Sequence, residues 1–137
     1  MARRLILDTN VLIDFQRGRI DRTAFDHDEL AIAAVTVAEF RVGIELASSV
    51  AQAAARARAL EAIIGAVDVL DYTASTAAEH ARLLAHTRRA GRPRGALDLI
   101  IAAHAAETDR TIVSRDAAAR FGALPGVLVD DALVDDA

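Results

Sequence analysis

Four short stretches each set an acidic side chain where an α/β protein can hold a metal. They are Leu7-Asp8-Thr9-Asn10, Thr36-Val37-Ala38-Glu39-Phe40, Leu97-Asp98-Leu99-Ile100-Ile101-Ala102-Ala103 and Val113-Ser114-Arg115-Asp116. Three of the four carboxylates sit just past an apolar run that reads as a strand. In an open α/β sheet the carboxyl ends of strands at a switch point line the ligand crevice. Carboxylates lining a crevice suit a hard cation, and the chemistry such a site supports is metal-assisted hydrolysis.

Each acid also has a plainer use. Asp8 ends a buried strand and can cap the next helix. Thr36-Val37-Ala38-Glu39 fits the capping-box pattern, in which the glutamate reaches back to the Thr36 amide. Asp98 falls in a first helical turn, where the macrodipole favours negative charge. Asp116 can be a first-turn acid with Ser114 as its cap. Taken together they read differently. Three carboxylates within about 4 Å of one another would repel by roughly 4 kcal/mol per pair at an effective dielectric near 20. A marginally stable domain carries that load only with a cation or with raised pKa values. Mg²⁺ or Mn²⁺ fits, because both prefer oxygen ligands and leave positions for water and phosphate. Thr9, Asn10 and Ser114 stand beside the acids, either as turn and cap residues or as groups that orient carboxylates and contact phosphate.

The elements that must position these residues follow from hydrophobic spacing. Arg3 to Leu7 reads as a buried strand, and Asn10 to Gln16 as a helix burying Val11, Leu12 and Phe15. Leu30 to Val35 is a second strand, after which Thr36 opens a helix carrying Val37, Phe40 and Ile44. Val50 to Ile64 is an alanine-rich helix with Arg56, Arg58 and Glu61 toward solvent. Val67 to Leu70 is a third strand, and Thr73 caps a helix reaching Arg89 with Leu83 and Leu84 inward. Gly91-Arg92-Pro93-Arg94-Gly95 is a loop. A helix from Ala96 to Glu107 buries a stripe of Leu97, Ile100, Ile101 and His104, with Asp98 at its margin. Strand Thr111 to Val113, a short helix from Ala117 to Phe121 and strand Val127 to Val129 complete the order. Strands alternating with helices predict an α/β fold, a mostly parallel sheet covered on both faces.

At 137 residues the chain reads as one domain, 1–137. Hydrophobic residues make up 53%, much of it alanine, which favours helices. With 4% aromatics there is little to stack successive bases on, and with no cysteine there is neither disulfide nor thiolate chemistry. No apolar run has the length of a membrane span and no secretory leader is evident, so a cytoplasmic protein without membrane contact is expected. Net charge is −4, yet Arg88, Arg89, Arg92 and Arg94 cluster just before Asp98. They are candidate RNA-backbone contacts or else a solvated loop. Asp130, Asp131, Asp135 and Asp136 read as a solvated acidic tail.

Those four motifs, in that order and spanning essentially the whole chain, resemble a PIN-domain ribonuclease of the VapC type, the toxin of type II toxin–antitoxin pairs. The resemblance implies a three-layer α/β/α sandwich and a homodimer held inactive by a cognate VapB-type antitoxin. It implies that Asp8, Glu39, Asp98 and Asp116 form the acidic quartet of a Mg²⁺-dependent endoribonuclease, with Mn²⁺ as a substitute. Asp8, Asp98 and Asp116 would bind the principal ion, and Glu39 would assist directly, through water or through a second ion. Thr9 and Ser114 match polar positions near that site. In antitoxin-bound relatives an arginine of the partner can approach the pocket. Two other readings stay open: a phosphatase using a strand-end aspartate, although Asn10 stands where such enzymes usually place a second acid, and a non-catalytic docking module.

Overall fold

The computed structural model describes residues 2–21, 23–116 and 119–130. Strands β1 (Arg4–Leu7), β2 (Glu29–Ala33), β3 (Asp68–Leu70), β4 (Thr111–Val113) and β5 (Leu128–Asp130) form one sheet in the order β3-β2-β1-β4-β5. Every pairing in it is parallel. The helices are α1 (Thr9–Gln16), α2 (Ala34–Glu45), α3 (Val50–Ala66), α4 (Ala74–Ala90) and α5 (Ala96–Thr108).

Two apolar clusters fill the two faces of the sheet, and strand pleating sorts the side chains between them. On β1, Leu5 and Leu7 join Val11, Leu12, Phe40 and Leu60 beneath α1, α2 and α3. Ile6, between them, faces Leu83, Leu99, Ile101 and Ala102 of α4 and α5. Ile112 and Val113 on β4 divide in the same way. The result is the expected α/β/α sandwich. The chain winds from β1 outward to β3, then crosses to β4 on the other side of β1. The switch point therefore lies between β1 and β4, where the Asp8 amide donates to the Val113 carbonyl at 3.0 Å.

Several local expectations shift. Helix α2 starts at Ala34, with Ala33 as a cap that lends no side chain, so Thr36 is inside the first turn. The Thr36–Glu39 capping box is accordingly absent; Thr36 is fully buried and Glu39 bonds elsewhere. Arg56 is half-buried rather than solvated, its guanidinium donating to the Gly43 carbonyl. Leu97 is exposed, whereas His104 is wholly buried. Thr73 does cap α4, in a reciprocal arrangement with Thr76, and Gly91 ends that helix in the left-handed region (φ 66°). Asp130 lies in β5 and pairs with Arg3 at 2.9 Å, so it is no part of a solvated tail. Asp131, Asp135 and Asp136 fall outside the described residues, as do Ala117 and Ala118 of the expected short helix. Downstream, Phe121–Ala123 makes a single 3-10 turn.

Candidate metal centre

Asp8 leaves the end of β1 as the N-cap of α1, so the plain and the chemical use of this residue coincide. It is 6% exposed. Its Oδ1 accepts from the Thr9 amide at 2.8 Å, and its Oδ2 accepts from the Ser114 hydroxyl at 2.8 Å. Ser114 follows β4, the neighbouring strand, and its hydroxyl oxygen accepts from the Asp116 amide at 3.0 Å. One buried serine thus ties the end of β1 to the turn carrying Asp116. The Thr9 hydroxyl donates to Glu39 Oε1 at 2.8 Å, linking α1 to α2. Asn10 Oδ1 accepts from the Arg115 amide at 3.4 Å, a long bond that steadies the same turn.

Asp98 sits in the first turn of α5, above the same end of the sheet. Its carboxylate folds back over the helix cap: a methyl group at Gly95 would stand 3.0 Å from Asp98 Oδ2. Burial pushes the Asp98 carboxyl above the ordinary aspartate range, and the charges of Asp8, Asp116 and Glu39 push it further, with Arg94 opposing. Burial also raises Asp8, the Ser114 and Thr9 bonds pull it down, and Asp116 and Glu39 add to the rise. The charges of Asp116 and Glu39 therefore reach both Asp8 and Asp98, and that of Asp8 reaches Asp98.

They do not make a finished ligand cage. Among the described residues no three His, Cys, Asp or Glu side chains stand close enough together to hold a metal ion as drawn. The tight convergence expected from the sequence is replaced by a looser ring. Within that ring Asp8 is held by Ser114 and Thr9, and Glu39 by Thr9. The donor set still fits a hard divalent cation. It is entirely oxygen, Asp8 is buried with Glu39 and Asp98 half-buried, and burial together with the neighbouring acids raises Asp8 and Asp98.

The arginines divide. Arg88 and Arg89 are exposed in the last turn of α4, where cations suit the macrodipole. Arg94 is half-buried, and its Nη1 donates to the carbonyls of Ala119 and Arg120 at 2.6 and 2.8 Å. Sequence reasoning missed two contributors. Thr36 lies with its hydroxyl 3.4 Å from that of Thr9, and Arg115 pairs with Asp14 at 3.4 Å beside the acids. Thr36 was hidden by the capping-box pattern. Arg115 had a signal, its place between Ser114 and Asp116.

A parallel sheet wound in this order, with carboxylates gathered at the β1–β4 switch point, defines a class of acid-lined α/β proteins. The PIN domain family model matches residues 5–124, and the chain belongs to the PIN-domain family. Within that family it stands with the VapC-type ribonucleases, the toxins of VapBC toxin–antitoxin pairs. It is 35% identical over 121 residues to ribonuclease VapC5 of Mycobacterium tuberculosis, covering 88% of this chain and 87% of the relative. It is 29% identical over 117 residues to the tRNA(fMet)-specific endonuclease VapC of Shigella flexneri, covering 82% and 86%. The crystal structure of VapBC-5 from M. tuberculosis superposes with a TM-score of 0.75 at 32% identity, covering 92% of this chain and 96% of that one.

Proposed function

We propose that this nuclease hydrolyses RNA phosphodiester bonds with a Mg²⁺ ion, or Mn²⁺ in its place, held by Asp8, Asp98 and Asp116 and assisted by Glu39. The single observation that carries the reading is the hydrogen-bonded linkage of Asp8 to the Asp116 turn through Ser114 and to Glu39 through Thr9, at the end of the sheet where Asp98 opens α5. When bound, the ion supplies an activated water and neutralises charge building on the phosphorus oxygens. The chain's own part is to hold the donors. Ser114 and Thr9 each occupy one lone pair on a different oxygen of Asp8 and leave the rest for coordination. Ser114 also fixes how far Asp8 stands from the Asp116 turn. Thr9 keeps Glu39 directed into the crevice rather than toward solvent.

The relative from S. flexneri is by its name specific for tRNA(fMet), so transfer RNA is the substrate class to try first. A VapB-type antitoxin would silence the site, and the active form would be a homodimer. Asp8→Asn and Asp98→Asn each keep shape while removing charge. Each should lower the cleavage rate about a thousandfold, the loss of several kcal/mol of stabilisation, with an unchanged far-ultraviolet dichroism spectrum. A folded, Mg²⁺-supplied Asp98→Asn protein cutting RNA at the parent rate would refute the assignment.

A further inference from the structure

Among the described residues, two of the four clustered arginines meet in a concavity. Arg92 and Arg94, together with His86, Thr87, Ala90 and Ala123, line a pocket of about 310 Å³. None of these lining residues is acidic. The Thr87 hydroxyl is buried in its wall and has no hydrogen-bond partner among the described residues. Arg94 is anchored through Nη1 to two carbonyls, which leaves its remaining nitrogens to donate. Arg92 and Arg120 press on Arg94 with like charge, and Asp98 draws it the other way. A pocket of donors crowded by cations is relieved by an anion, and the arginine fork matches phosphate oxygens.

Position says which anion. Arg94 directly precedes Gly95, the cap of α5, whose first turn carries Asp98, and this sets the pocket on the flank of the acidic crevice. That crevice repels the phosphates of an approaching strand, so a strand cut there needs anchoring beside it. Resting on the ribonuclease reading above, we propose that the His86–Thr87–Arg92–Arg94 pocket binds a backbone phosphate of the RNA strand other than the one being cut. Sites of opposite sign side by side set the register in which the strand enters. Arg88 and Arg89 lie outside the pocket and add at most general attraction.

The test takes one single-stranded oligoribonucleotide that the protein cuts, chosen from a randomised pool. A series is made in which each linkage in turn becomes an uncharged methylphosphonate. In the parent, neutralising one non-scissile linkage should raise KM about tenfold, as expected for loss of a charge-assisted contact. Arg92→Ala and His86→Ala, both at exposed positions, should raise KM themselves and erase the penalty at that linkage alone. Arg94→Ala is a poorer probe because it also releases Ala119 and Arg120. Thr87→Val, nearly isosteric, should reproduce part of the effect. If every linkage costs the same in the variants as in the parent, the pocket holds no phosphate and the ribonuclease reading stands. If the folded parent cuts no member of the pool in Mg²⁺, both fall.

Discussion

At the scale of single residues, Asp98 depends on a neighbour with no side chain. Its carboxylate occupies the space a Cβ on Gly95 would take, 3.0 Å from Oδ2. Gly95 has φ −59°, which any residue adopts, so the requirement is for room and not for backbone freedom. Gly95→Ala should move Asp98 by a few tenths of an ångström and leave the fold intact. Since a 1 Å misplacement can cost about a hundredfold, a fall in cleavage of about tenfold is expected. Mn²⁺ affinity, read by paramagnetic resonance, should drop in parallel while the melting temperature stays put. An unaltered Mn²⁺ affinity would show that Asp98 rotates freely and that Gly95 merely caps α5.

At the scale of elements, α4 and α5 pack around a buried histidine. His104 is 1% exposed, and neither ring nitrogen has a hydrogen-bond partner among the described residues. Tyr72 meets its ring edge-on at 6.3 Å, and Glu107 Oε2 stands 3.9 Å from Nδ1. Burial lowers the His104 pKa, while Glu107 and Asp71 pull it back up. The folded state thus favours the neutral ring. Its contribution is complete above the unfolded value of about 6.5 and is lost as the pH falls below that value. Replacing a buried group without partners by an apolar one of similar bulk is nearly neutral or stabilising. His104→Leu should therefore melt within about 1 kcal/mol of the parent, or above it, at pH 8. It should also lose less stability between pH 7 and pH 5. Parallel pH–stability curves for the two proteins would mean that His104 titrates as it does unfolded.

At the scale of the whole molecule, charge is separated rather than abundant. The chain carries 20 acids against 16 arginines, so attraction for RNA must come from local patches rather than net charge. The acidic crevice at the β1–β4 switch point strains the metal-free fold, and a cation bound there should stabilise it. Mg²⁺ at a hundred times its dissociation constant should add about 2.7 kcal/mol, seen as a raised melting temperature. Asp98→Asn should remove most of that increment and raise the metal-free melting temperature slightly, because one of the repelling charges is gone. An equal Mg²⁺ increment in both proteins would place the ion elsewhere.

Much of this protein could be read along the chain because helix and strand periods are local properties. β1, α1, α4, α5 and β4 stand within a residue or two of where apolar spacing puts them. All four acids stood out in the sequence, Asp8 and Asp116 after strands, Asp98 in a first turn and Glu39 in a helix after β2. The misreadings came where a local pattern has two outcomes. Thr36 and Glu39 match a capping box on paper, but α2 begins two residues earlier, at Ala34, where the partly buried Ala34 and Val35 carry the apolar run of β2 into the helix. Distance along the chain also conceals partners: Ser114 reaches Asp8 across 106 positions, and Arg94 reaches Ala119 across 25. Residue order alone therefore settled which side chains carry negative charge and which element holds each. Folding settled which oxygens keep free lone pairs, and which two of four arginines share a wall. Hydrogen-bond geometry and Coulomb fields depend on separation in space, and only the sheet crossing between β1 and β4 sets that separation.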